Sequence, residues 1–235
     1  MLWLRSIIFN LGLIIATLCI ATTALLLVFF PLKVRYWYIT RWSAFIIYWA
    51  KLVCQINYQV SGLENLPKKN AIVLCKHQSA WETLFLQILL PCQTWVLKKE
   101  LLWIPFFGWA LALLSPIAIN RAQSSSIRQL IQQGSSALNT GRWVVIFPEG
   151  TRVNPGETKK YSRSGAGLAM ASGFPIIPIA HNAGHCWRKN SFLKTPGTIQ
   201  VVIGSAIYPK SQTLAEMTQQ AQQWIDSTSA QLSIP

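Results

Sequence analysis

The chain has 235 residues, room for one sizeable domain and a small appendage. Hydrophobic residues make up 51% and mean hydropathy is +0.33, too apolar for an ordinary soluble protein of this length. Lysine and arginine number 21 against 7 acids, a net charge of +14, and there are 11 tryptophans but no nucleic-acid-binding fingerprint, which points to an anionic membrane surface and away from DNA or RNA.

No charge interrupts the chain from Ser6 to Leu32, between Arg5 and the cations Lys33, Arg35 and Arg41. As a helix this stretch would reach about 40 Å, more than the ~30 Å of a bilayer's hydrocarbon core. A cleaved signal peptide is the rival, given the small residues of "CIATTA", but the apolar run continues through "LLLVFF". The segment "RYWYITRWSAFIIYWAKLVCQI" is interrupted by Arg41 and Lys51 and predicts an interfacial or half-buried helix. The cations after the first helix put the following domain on the cytoplasmic side of an inner or plasma membrane. The expected division is residues 1–56, membrane helix plus interfacial helix, and residues 57–235, an α/β domain.

Short, β-branched runs bounded by turn residues predict strands at 71–75, 94–98, 115–119, 143–147, 175–180 and 198–204. Stretches 79–90, 124–139, 163–172 and 212–228 predict helices. Strands alternating with helices predict an α/β fold, a largely parallel central sheet flanked by helices. No internal repeat or low-complexity tract is present.

Two stretches carry candidate chemistry. In "KHQSAWETLF", His77 and Glu82 are five positions apart, about 140° around a continuous helix, so they meet only if the helix begins between them. Ser79 followed three residues later by Glu82 is a capping-box pattern. A helix cap and a catalytic dyad therefore both stand, and they do not exclude each other. In "VVIFPEGTR", a strand ends at Pro148 and a turn presents Glu149, Gly150, Thr151 and Arg152. Open α/β sheets bind ligands at such strand ends; an arginine fork suits a phosphate, and glycine lets backbone approach closely.

Weaker candidates have plainer readings. "HNAGH" has the histidine spacing of a zinc helix, but Gly184 and the preceding strand argue against a helix, so no metal site is expected. Arg163 stands where it would reach a phosphate at a helix N-terminus, although the small residues after it suit close packing. "LLWIPFFGWALALL" fits a core helix, an apolar surface against a bilayer or the wall of an acyl tunnel. The five cysteines are scattered without a CxxC pair, which favours a reducing compartment.

Taken in order, the histidine-X4-acid stretch, "LKKELLWIPFFGW" (97–109), "FPEGTR" and "FPIIPIA" (174–180) resemble the lysophosphatidic acid acyltransferases of the glycerolipid acyltransferase superfamily. The four motifs run from about 76 to 181, and the flanks fit the same membrane-attached architecture. The resemblance implies that His77 is the general base on the acceptor hydroxyl and that Glu82 orients it. It further implies that Glu149, Gly150, Thr151 and Arg152, with Lys98 or Lys99 and more weakly Arg121, lie near the acceptor's phosphate. Here Glu82 stands where aspartate is commoner in the family, and Lys76 where asparagine often precedes the histidine.

The expected activity is transfer of an acyl chain from acyl-CoA or acyl carrier protein to the 2-hydroxyl of lysophosphatidic acid, giving phosphatidic acid for phospholipid biosynthesis. The partners are those two substrates and the lipid bilayer; no cofactor and no nucleic acid are expected. The thioester is already activated, so no covalent enzyme intermediate is needed, and the chain has no G-x-S-x-G elbow. Acylation of another lysolipid, a silent membrane-binding protein of the same fold, and a lipid hydrolase are the alternatives.

Overall fold

A computed structural model describes residues 1–120, 125–210 and 212–232. Helix α1 (Leu2–Ala24) runs into a 3-10 turn at Leu25–Leu27, and this 26-residue segment is long and apolar enough to cross a membrane. Its threonines return their hydroxyls to carbonyls one turn back, Thr17 to Leu13 and Thr22 to Leu18, so the apolar helix carries them without stray donors. Helix α2 (Leu32–Cys54) starts after Pro31 and folds back antiparallel along α1, joined to it by Trp42 Nε1–H donating to Thr17 Oγ1 and by the Thr23–Tyr38 hydroxyl pair. Tyr36, Ile39, Ser43, Ile46, Ile47, Ala50 and Cys54 form its buried stripe, the expected half-buried helix.

Seven strands form one sheet: β1 (Ile56–Ser61), β2 (Ile72–Cys75), β3 (Gln93–Lys98), β4 (Ile117–Ile119), β5 (Trp143–Ile146), β6 (Ile176–His181) and β7 (Gly197–Ile203). Their order is β1-β7-β6-β2-β5-β3-β4, parallel throughout except where β7 meets β6. Six of these strands match the expected runs; β1 does not appear among them, because "INYQVS" is polar and buries only Ile56 at the sheet's edge. The other elements are α3 (Trp81–Leu89), α4 (Phe107–Ala112), α5 (Ser126–Asn139), α6 (Ser164–Ser172), the single turn α7 (Ala183–Cys186) and α8 (Leu214–Gln231). Thr213 and Glu216 cap α8 with a reciprocal capping box.

The alternation of side chains along the central strands divides the core in two. Ile72, Leu74, Val144 and Ile146 face α5, α6 and α8. Val73, Cys75, Val145 and Ile177 face the other way, in one cluster with residues of α1, α2, α3 and α4. The N-terminal helices are thus part of the sheet's own core. Lys194, before β7, reinforces the join: its N–H donates to Ser6 Oγ at 3.0 Å. Its ammonium lies 5.7 Å from the Phe9 ring and 5.2 Å from that of Trp187.

"LLWIPFFGWALALL" does not form one helix. A 3-10 turn (Lys99–Trp103) ends before Pro105, which lacks an amide donor, and α4 begins after Phe106. Trp103, 71% exposed, joins Ile104, Phe106 and Trp109 on an apolar surface.

Candidate active site

Strand β2 is central, and its C-terminal end is one of the strand ends where open α/β sheets place ligands. The chain leaves it as Lys76–His77–Gln78–Ser79, held on both sides: Lys76 N–H donates to Ile179 C=O at 3.1 Å, and His77 C=O accepts from Val153 N–H at 2.8 Å. Helix α3 then begins after His77, as the dyad requires.

His77 and Glu82 meet, and only half of the capping-box pattern forms beside them. The N-cap of α3 is Ala80, and Ser79 Oγ just ahead of it accepts from Trp81 N–H at 3.0 Å instead of from Glu82 N–H. Glu82 Oε1 accepts from Ser79 N–H at 2.8 Å and Gln78 N–H at 2.9 Å, and also lies 2.8 Å from His77 Nδ1. With Nδ1–H donating to the carboxylate, the free lone pair of the neutral ring is at Nε2. The imidazole stacks on Phe147 with centroids 4.0 Å apart, and its side chain remains 17% exposed. Burial pushes the Glu82 carboxyl up, but the imidazoles of His181 and His77 and the Ser79 N–H outweigh it and hold the group below its usual range.

His77 opens onto a cavity of about 600 Å³. Lys98, Gly150, Thr151 and Arg152 line it near the histidine, and Leu13 of α1, Trp42 of α2 and Leu111 of α4 line its apolar part. Both lysines left open by the sequence are exposed; Lys98 borders the cavity, whereas Lys99 does not and opens the 3-10 turn. Gly150 has φ of 72°, a left-handed conformation that glycine adopts without strain. Arg121 lies outside the described residues.

Glu149, unlike Gly150, Thr151 and Arg152, does not line the cavity that His77 opens onto. Its side chain turns beneath the histidine loop, where Oε1 accepts from His77 N–H at 3.4 Å and from the Tyr161 hydroxyl at 3.5 Å, 3.9 Å from Lys76 Nζ. It borders a separate cavity of about 340 Å³ instead of the one His77 opens onto. Burial pushes its carboxyl up, only partly offset by its own backbone N–H, by Lys76 and by the His77 N–H. A carboxylate there props the histidine loop from below.

Two contacts had no local signal in the sequence. Lys76, fully interior, pairs with Asp226 of α8 at 2.6 Å. His181, at the end of β6, donates from Nε2 to Lys76 C=O at 2.8 Å, and its Nδ1 accepts from Ala183 N–H at 3.1 Å. Where no helix was expected in "HNAGH", α7 forms one short turn, because Gly184 lets the chain pass close to Gln78 and Pro155. His181 stays on the strand, so the two histidines do not share a helix face.

The sequence profile of the family described as Acyltransferase matches residues 57–182. The 1-acyl-sn-glycerol-3-phosphate acyltransferase of Pseudomonas aeruginosa is 48% identical over 208 residues, covering 86% of this chain and 81% of that protein. This chain belongs to that acyltransferase family. A Borreliella burgdorferi protein of the same name is 32% identical over 134 residues, 56% of this chain and 54% of its own. In fold, this acyltransferase matches the crystal structure of the 1-acyl-sn-glycerophosphate acyltransferase of Thermotoga maritima, with a TM-score of 0.80 at 21% identity over 98% of this chain and 97% of that one.

Proposed function

We propose that the protein transfers an acyl chain from acyl-CoA or acyl carrier protein to the 2-hydroxyl of lysophosphatidic acid, on the cytoplasmic side of a membrane to which α1 holds it. The observation that carries this is the opening of His77, backed by Glu82, onto a largely apolar cavity that Lys98 and Arg152 also line. An acyl chain suits the apolar walls, and a phosphate suits the two cations.

His77 Nε2 takes the hydroxyl proton as the oxygen attacks the thioester carbonyl carbon. Glu82 holds Nδ1–H, fixes the tautomer and stabilises the imidazolium as it forms. The tetrahedral intermediate then collapses, the C–S bond breaks, and the leaving thiolate takes the proton from the imidazolium. The ester remains on the glycerol and the thiol departs, so the base returns to its starting state.

The test is acyl transfer by detergent-purified protein, with labelled acyl-CoA or acyl-acyl carrier protein and lysophosphatidic acid. Phosphatidic acid from the wild type, lost in His77→Ala, is the expected outcome. Acylation of other lysolipids but not of lysophosphatidic acid would move the acceptor. Silence with every acceptor, in folded protein, would defeat the reading.

A further inference from the structure

The "HNAGH" segment takes no part in the reaction just described, yet it touches the catalytic loop on both sides of the base. His181 Nε2–H reaches the carbonyl of Lys76, the residue before His77, at 2.8 Å. Gly184 N–H reaches the side-chain oxygen of Gln78, the residue after it, at 3.2 Å. A Cβ at Gly184 would stand 3.1 Å from Gln78 Cβ and 2.9 Å from Pro155 Cγ, so the close approach depends on glycine. Behind the base, His181 Nε2 lies 3.9 Å from Glu82 Oε2, a buried oxygen without a hydrogen-bond partner in the structure.

We infer that His181 is a positioning residue for the catalytic pair: its Nε2–H fixes the peptide that carries His77, and its ring stands beside the Glu82 oxygen that His77 does not occupy. The inference rests on the reading of His77 as the base. Its two hydrogen bonds assign His181 one proton, since Nε2 donates and Nδ1 accepts. A second imidazolium here would compete with His77 for the same carboxylate. Burial pushes the His181 value down, opposed by Glu82 and the Lys76 carbonyl and assisted by the charges of His77 and Lys76. The Glu82 charge is therefore kept for the ring that changes protonation during turnover.

Two conservative variants separate this role from simple packing. His181→Gln places an amide N–H near the position of Nε2 and keeps the bond to Lys76 C=O; His181→Asn places its amide near Nδ1 and keeps only the partner of Ala183. Expected are a kcat within about threefold of wild type for His181→Gln and a loss of tenfold or more for His181→Asn, with KM for both substrates within about twofold. Equal kcat in both variants, or a rise in KM that accounts for the loss, overturns the inference.

Nitrogen-15 histidine spectra of the full-length wild type in detergent keep the test decisive if the asparagine variant does not fold. The chain has three histidines, and His185→Gln assigns one of them. His181 is expected to remain an Nε2–H tautomer between about pH 5.5 and 8. A titrating His181, or an Nδ1–H tautomer, overturns the inference. Failure of the wild type to transfer acyl groups is a separate result, which defeats the proposed function and leaves the spectra to judge the hydrogen bonds.

Discussion

Glu82, in the first turn of α3, and Glu149, in the turn after β5, lie within reach of the same histidine loop, 1% and 3% exposed, yet the protein treats them in opposite ways. Glu82 gathers three donors at one oxygen within 2.9 Å and sits below the usual carboxylate range. Glu149 has its own backbone N–H and two long contacts, at 3.4 and 3.5 Å, and sits above it. Exposure is nearly the same, so the imidazoles and donors around each group decide which way burial is answered. One turn is built to hold a carboxylate against His77, and the other to prop the loop.

The most severe break is His77→Ala, which leaves Glu82 with nothing to orient. A loss of about 10³-fold in kcat is expected in the transfer assay, within the range usual for a general base. Next comes Glu82→Gln, which keeps the shape but removes the charge that fixes Nδ1–H, and about 10²-fold is expected in kcat. Its three donors also lose a charged acceptor, at a cost of about 2 kcal/mol in stability. Because the folded Glu82 value is depressed, its stabilisation is present above the unfolded carboxylate value and lost as pH falls through the folded one. The gap in thermal midpoint between Glu82→Gln and wild type should therefore be wide at pH 8 and narrow in acid.

Arg152→Ala and Lys98→Ala act on binding. Each should raise KM for lysophosphatidic acid about tenfold, the worth of one charge-assisted hydrogen bond, with a smaller change in kcat. Lys99→Ala, away from the cavity, should leave that KM within about twofold of wild type, and an equal effect at the two lysines would dissolve the distinction between them. The smallest kinetic effect belongs to Glu149→Gln, with kcat expected within about threefold. The folded Glu149 value is raised, so its charged form weakens the fold once pH climbs above the unfolded value. The glutamine variant should thus melt higher than wild type at pH 8 and lose that advantage in acid, the reverse of Glu82→Gln. The same sign in both variants would erase the contrast between the two turns.

The sequence showed most plainly what was buried on both faces. "AIVLC", "WVVIF" and "PIIPIA" are continuous apolar runs, and they form the strands at the sheet's centre. The edge strand β1 escaped, since a mostly solvated strand carries little hydrophobic signal. The letters of the histidine stretch allowed a cap or a dyad; only the start of α3 at Trp81 shows that one carboxylate meets both the imidazole and the Ser79 N–H. The supports around it were not legible. Lys76 meets Asp226 across 150 positions and His181 meets Lys76 across 105, and no local pattern encodes such pairings. Nor was the course of the Glu149 side chain beneath the histidine loop legible, because a motif gives neighbours in the chain and not the direction of a side chain.

Helix α1 is seated by Ser6, Phe9 and Lys194 on the sheet's own core, and its Leu13 helps wall the cavity that His77 faces. It is therefore not an interchangeable helix. A version trimmed to begin at β1 would lose a side of the cavity that His77 faces, and a foreign apolar helix grafted in its place would not bring Leu13 back to that wall. Changes at Ser6, Phe9 or Leu13 reach the cavity and the core as well as the helix.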